Sequence, residues 1–269
     1  MKKLLGGVAL GALLAAPAMA ADLPARMPVK APPPAAVAVF SWTGFYIGGH
    51  AGYGWGKSDV DTSPLPSPAA FGADPFSQSV DVDGFVAGGQ IGYNIQNGRW
   101  VFGVELDASA TGMDGSSTVG PLPLFGGGFD PGSSQTVNTE LKWLATARAR
   151  VGFLPTDQLL LYVTGGLAVG KVEHSVVTDY VGDPFRYPGS SSDVRVGWTA
   201  GGGAEFALGN NWSIKAEYLY VDLGDETIIA NPVAANPPFQ VSTNHDFTAH
   251  IARVGLNYRF GASPVVARY

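Results

Sequence analysis

The chain has 269 residues, of which 46% are hydrophobic and only 14% charged, well below the roughly 25% charge of an ordinary soluble domain. Its formal net charge of −6 argues against a nucleic-acid role, which needs clustered Lys and Arg on phosphates. The absence of cysteine excludes disulfide staples, thiolate metal sites and a cysteine nucleophile, while 37 Gly and 20 Pro favour strands and turns over helices.

The N-terminus carries Lys2 and Lys3, an apolar run from Leu4 to Ala16 and the small-residue stretch Pro17-Ala18-Met19-Ala20. This reads as a cleavable signal peptide over residues 1–20, too short to span roughly 30 Å of hydrocarbon. Residues 21–43 follow as a Pro/Ala-rich segment expected to form an extended periplasmic tether.

From Gly44 onward the pattern is period-two alternation, the mark of strands with two different faces. Phe45, Ile47, Ala51, Tyr53 and Trp55 lie on one face of the first segment, with Tyr46 and His50 on the other. The second runs over 84–96 and the third over 99–111, where Trp100, Phe102, Val104 and Leu106 oppose Glu105 and Asp107. The fourth sets Leu141, Trp143, Ala145 and Ala147 against Arg148 and Arg150. In the fifth, 159–170, Leu160 and Tyr162 break the polar face. The sixth opposes Val196, Trp198 and Phe206 to Arg195 and Glu205, the seventh Trp212, Ile214 and Tyr218 to Lys215 and Glu217, and the eighth Val254, Leu256 and Tyr258 to Arg253, Asn257 and Arg259.

Short turns at Asn97-Gly98, Leu154 to Asp157 and Gly209 to Asn211 alternate with long loops at 57–83, 113–136, 173–194 and 222–246. That is the layout of an outer-membrane barrel with periplasmic turns and extracellular loops. The expected fold is therefore all-β: an eight-stranded antiparallel transmembrane β-barrel over 44–260, with a tail at 261–269. Alternation alone also fits a soluble barrel with its apolar face inward. Against that reading, Trp and Tyr sit near strand ends as membrane-interface girdles require, and the opposite face mixes charges of both signs that can pair in a lumen. The loops hold fifteen of the 22 acidic residues and only Lys57 and Arg186 as bases. Such loops suit either divalent cations beside lipopolysaccharide phosphates or a solvated surface that resists aggregation.

Several segments resemble the small outer-membrane β-barrel, porin-like proteins of α-proteobacteria, a family that includes major surface antigens and hemin-binding proteins. They are the run Phe40-Ser41-Trp42-Thr43-Gly44-Phe45-Tyr46-Ile47-Gly48-Gly49, then Gly89-Gln90-Ile91-Gly92-Tyr93-Asn94, Tyr162-Val163-Thr164-Gly165-Gly166, Ala216-Glu217-Tyr218-Leu219-Tyr220 and the closing Ala252 to Phe260. The closing strand is similar to the signal read by barrel-assembly machinery, with either Phe260 or the terminal Tyr269 as the engaged aromatic. The resemblance implies a structural barrel supporting envelope integrity among outer-membrane lipids and lipopolysaccharide. The alternative is a small ion or solute channel or a hemin-binding surface protein. Hemin capture would use His174, His245, Tyr180 or Tyr187, since haem iron accepts His or Tyr. No G-x-S-x-G, H-E-x-x-H or G-x-x-x-x-G-K motif occurs, so no catalytic, cofactor or metal residue is assigned and no enzyme is expected.

Overall fold

A computed structural model describes residues 40–180, 186–231 and 239–260. All belong to one of two compact units of chain, Val37–Tyr269; the other, Met1–Ala36, lies outside the described residues, as does the tail after Phe260. In chain order the elements are β1 (Gly44–Leu65), the helical turn α1 (Pro68–Phe71), β2 (Phe76–Asn97), β3 (Trp100–Val119), and the two-residue strands β4 (Leu122–Pro123) and β5 (Phe129–Asp130). There follow β6 (Ser134–Thr156), β7 (Leu159–Asp179), β8 (Arg186–Gly209), β9 (Trp212–Ala230) and β10 (Gln240–Phe260). The eight long strands pair antiparallel with their neighbours in sequence, and β1 closes the ring on β10 from Phe45–Phe260 to Leu65–Gln240.

Short turns gather at one end. Gly98 takes φ of +60° and Gly209, Asn210 and Asn211 take +92°, +49° and +69°, the left-handed backbone that Gly and Asn tolerate best. The middle turn falls at Asp157–Gln158, later than expected, because β6 runs through Pro155 to Thr156. The connections at the other end are longer, as anticipated, yet they shrink to 66–75, 120–133, 180–185 and 231–239.

The difference lies in the strands, which run 19 to 24 residues, about twice the 9–11 needed to cross hydrocarbon. Halfway along, the two faces exchange character. In β1 the outward positions change from Phe45, Ile47, Tyr53 and Trp55 to Lys57, Asp59 and Asp61, while inward ones change from Tyr46 and His50 to Val60. β10 shows the same, with Val241, Thr243, His245 and Phe247 inward against Asn244 and Asp246 outward. A membrane barrel thus continues into a water-facing one whose core is apolar. Val80, Val82, Met113, Val137, Val172, Val176, Leu219 and Leu223 fill it.

Paired irregularities at the junction adjust which side chains point in. Register shifts between Ala110 and Met113 in β3 and between Leu141 and Trp143 in β6 turn Leu141 fully inward, while Trp143 stays outside. Leu141 therefore departs from the outward row expected of it. Beyond the Trp198–Asp222 pair the ladder between β8 and β9 ends. Arg195 there holds Glu226 at 2.5 Å across the two strands.

Candidate functional site

The lumen concentrates the chain's buried polar chemistry, and it is filled in layers. At the turn end, residues 40–43 fold into the barrel mouth. Trp42 is fully buried against Val101, Leu154, Leu160, Tyr162 and Ala207. Its backbone N–H donates to Gln96 Oε1 at 2.9 Å and its indole N–H to the Asp157 carbonyl at 3.0 Å. Phe40 meets it edge-on at 5.0 Å, and the Arg259 guanidinium lies 4.8 Å from both rings. Leu160 and Tyr162, which broke the alternation of the fifth segment, do so because they pack on this plug.

Above it the predicted lumen charges pair. Arg148 reaches Glu105 at 2.6 Å, Asp107 at 2.8 Å and, across the barrel, Glu217 at 3.0 Å. Arg253 joins Asp107 at 2.9 Å and Glu217 at 2.6 Å, Lys215 reaches Glu105 at 2.8 Å, and Arg150 reaches Glu205 at 3.1 Å. Tyr46 donates to Glu105 at 2.7 Å and Tyr162 to Glu217 at 2.9 Å. His50, inward as expected, contacts Gln90, Ser109 and Arg253. Each of the four buried carboxylates is paired with at least one cation, the condition under which charges remain buried, whereas Arg259, also read as a lumen charge, meets no carboxylate among the described residues and has two guanidinium nitrogens without acceptors.

The water-facing half adds a third layer. His174 and His245, read from the sequence as loop residues, are strand residues of inward parity and are buried. Their rings meet across the lumen at 4.3 Å between centroids. His174 contacts Thr139 Oγ1 at 3.0 Å and the Arg195 guanidinium at 3.2 Å, whereas neither ring nitrogen of His245 has a partner. Burial lowers both pKa values, His174 to about 3, helped by His245 and Arg195, and His245 to about 4, helped by Arg195. Tyr180 and Tyr187 stand above them in an aromatic cover with Phe71 and Phe239, at centroid distances from 5.5 to 6.3 Å. His250 faces outward as expected, bonded to Tyr218 at 2.6 Å and stacked on Trp55. The four proposed hemin ligands are thus brought to one end of the barrel, under cover rather than in solvent. Trp42 entered the sequence reading only within the run that resembles the family, and Glu226 only as one of the acidic residues of a loop, neither with a lumen role; a chain-long parity count would have turned His174 and His245 inward. Among the described residues no group of three or more His, Cys, Asp or Glu is arranged to hold a metal ion.

The outward face of the lower half carries two aromatic belts, one with Trp100, Phe153, Trp212 and Tyr258, the other with Tyr53, Trp55, Trp198 and Tyr218. A closed barrel with this exterior and a charged, paired interior is an outer-membrane design. A family model described as an outer membrane protein beta-barrel domain matches residues 7–260. The chain belongs to this family.

Within it, the chain is 40% identical over 256 residues to the 31 kDa outer-membrane immunogenic protein of Brucella melitensis, covering 93% of this chain and 97% of that protein. It is 34% identical to the 22 kDa outer membrane protein of Rhizobium leguminosarum bv. viciae, over 68% of this chain and 64% of the relative. Among solved structures, the outer membrane protein OprG from Pseudomonas aeruginosa aligns with TM-score 0.45 and 13% identity, over 81% of this chain and 97% of that one. Like other members of this α-proteobacterial group, the protein resides in the outer membrane, in contact with membrane lipid and lipopolysaccharide.

Proposed function

We propose that this family member is a structural, non-catalytic barrel that supports envelope integrity and presents an acidic surface to the outside. The filled lumen carries this reading: an indole plug, an ion-pair layer and an apolar layer stand in series across it. Eight-stranded barrels have interiors just wide enough for side chains, and here the side chains occupy them. In this reading residues 1–20 are a signal peptide, 21–43 are the Pro/Ala-rich periplasmic segment, except that its last residues, 40–43, enter the barrel mouth instead of staying a tether, 261–269 form a tail, and barrel-assembly machinery engages the last strand through Phe260 or Tyr269. Lipid and lipopolysaccharide are its partners, and nucleic acid is not. Reconstituted protein is expected to show no conductance steps in planar bilayers; steady openings would overturn the reading in favour of a channel. Trp42→Ala should cost about 3–5 kcal/mol of stability, the usual range for a large buried ring, measured by urea unfolding in vesicles.

Hemin capture is a second reading with one observation in its favour, the convergence of His174, His245, Tyr180 and Tyr187 with His245 unpartnered. It requires the aromatic cover to lift. A Soret shift on adding hemin, lost in His245→Leu, would support it; an unchanged spectrum would remove it.

A further inference from the structure

The ion-pair layer does not balance. Among the described residues the lower lumen buries four carboxylates, Glu105, Asp107, Glu205 and Glu217, against five cations, Arg148, Arg150, Lys215, Arg253 and Arg259, none more than 5% exposed. Arg259 is the one in surplus. Among the described residues it makes no ion pair; its Nη1 donates to the Ser41 carbonyl at 2.7 Å, and its faces rest on Phe40 and Trp42. Its Nε and Nη2 have no acceptor, nor do Arg150 Nη2 and Asn94 Nδ2.

These orphan donors share one side of the lumen. Asn94 Oδ1 accepts from Arg150 Nε at 2.9 Å, Arg150 lies 4.8 Å from the Tyr46 ring, and Arg259 is the cross-strand partner of Tyr46. Two guanidinium edges and an amide, all donors and all dry, ask for a negatively charged acceptor, because burying an unpaired cation is far costlier than burying a paired one. The deficit is one charge. We propose that the lumen binds one small monovalent anion of the halide class between the Trp42 plug and the ion-pair layer, accepting from Arg150, Arg259 and Asn94.

The inference is independent of whether the barrel conducts or binds hemin. It is tested on full-length mature protein folded in detergent, comparing melting in chloride, bromide and gluconate at equal ionic strength. At about 100 mM the halides should raise the midpoint by about 3 °C or more over gluconate, the shift expected of a ligand well above its dissociation constant. Asn94→Asp keeps the acceptor for Arg150 Nε and supplies the missing charge covalently, so this variant should fold, be as stable in gluconate as in chloride, and lose the halide response. Crystals grown in bromide should show one anomalous peak in contact with Arg150 and Arg259. Equal melting in all three salts, or a halide response that survives Asn94→Asp, overturns the proposal. A bromide peak without any stability response means an adventitious ion only and overturns it as well.

Discussion

Replacing Arg148 by methionine is expected to cost the barrel about 3–5 kcal/mol, the penalty for breaking a buried ion pair from one side. Arg148 is the hub of the network. Its two terminal nitrogens serve Glu105, Asp107 and Glu217, which come from β3 and from β9 on the far wall. Methionine restores much of the volume but leaves three carboxylates facing one another in a dry lumen, with Lys215 and Arg253 beside them and Arg150 3.7 Å from Glu105 as the remaining compensation. Urea unfolding in phospholipid vesicles should show the loss as a lower midpoint. The double variant Arg148→Met with Glu217→Gln should lose less than the sum of the two single changes, since the residues share partners. A loss below about 1 kcal/mol would mean that the charges are solvated and the network is a surface-like one.

Acid should loosen the water-facing half before the membrane half. His174 and His245 have folded pKa values near 3 and 4, below the ordinary value of about 6.5 for an unfolded histidine. Below that ordinary value the unfolded chain binds more protons than the folded one. The contribution of each histidine is therefore complete above about pH 6.5 and falls by about 1.4 kcal/mol per pH unit on acidification, down to its folded pKa. The positive charge of Arg195, whose guanidinium meets the His174 ring and donates to the His245 backbone carbonyl, sharpens the effect, and Glu226 on Arg195 opposes it. Amide protection, taken relative to the intrinsic exchange rate at each pH, should fall between about pH 6.5 and 4.5 more in the upper parts of β7 and β10 than in the lower parts of β2 and β3. His245→Leu should flatten that dependence. Protection that is unchanged by pH, or equally pH-dependent in the variant, would show that the histidines do not titrate in this window.

Much of this was legible in the sequence, and the limits of legibility have a physical cause. Period-two alternation with aromatic ends located all eight strands and their outward faces, because hydrocarbon imposes one code on every outward position. Above the membrane the solvent changes while the pleat does not. The code therefore reverses, and Val60, Val80, Val172 and Val241 look like loop hydrophobics unless parity is carried forward from below. His174 and His245 were misplaced for that reason. Leu141 fails differently: a bulge adds a residue, and no parity rule survives an unannounced insertion. Trp42 was hidden because a plug entering from outside the ladder has no periodicity to betray it. The lumen charges were the easiest part, since ionisable residues facing inward in a narrow barrel have only each other.

In the proposed orientation, with the longer connections facing outward, the reversal of the strand faces also decides what the cell displays. Asp114, Glu140 and Glu173 stand side by side in one row across β3, β6 and β7, although long stretches of chain separate them. A cleft of about 660 Å³ runs over this row and down to His174. Anything that reads the protein from outside, an antibody included, therefore meets a footprint assembled from neighbouring strands on a hydrogen-bonded wall. Such a footprint exists only while the barrel is folded, and a peptide copied from any one of those strands carries a single member of that row.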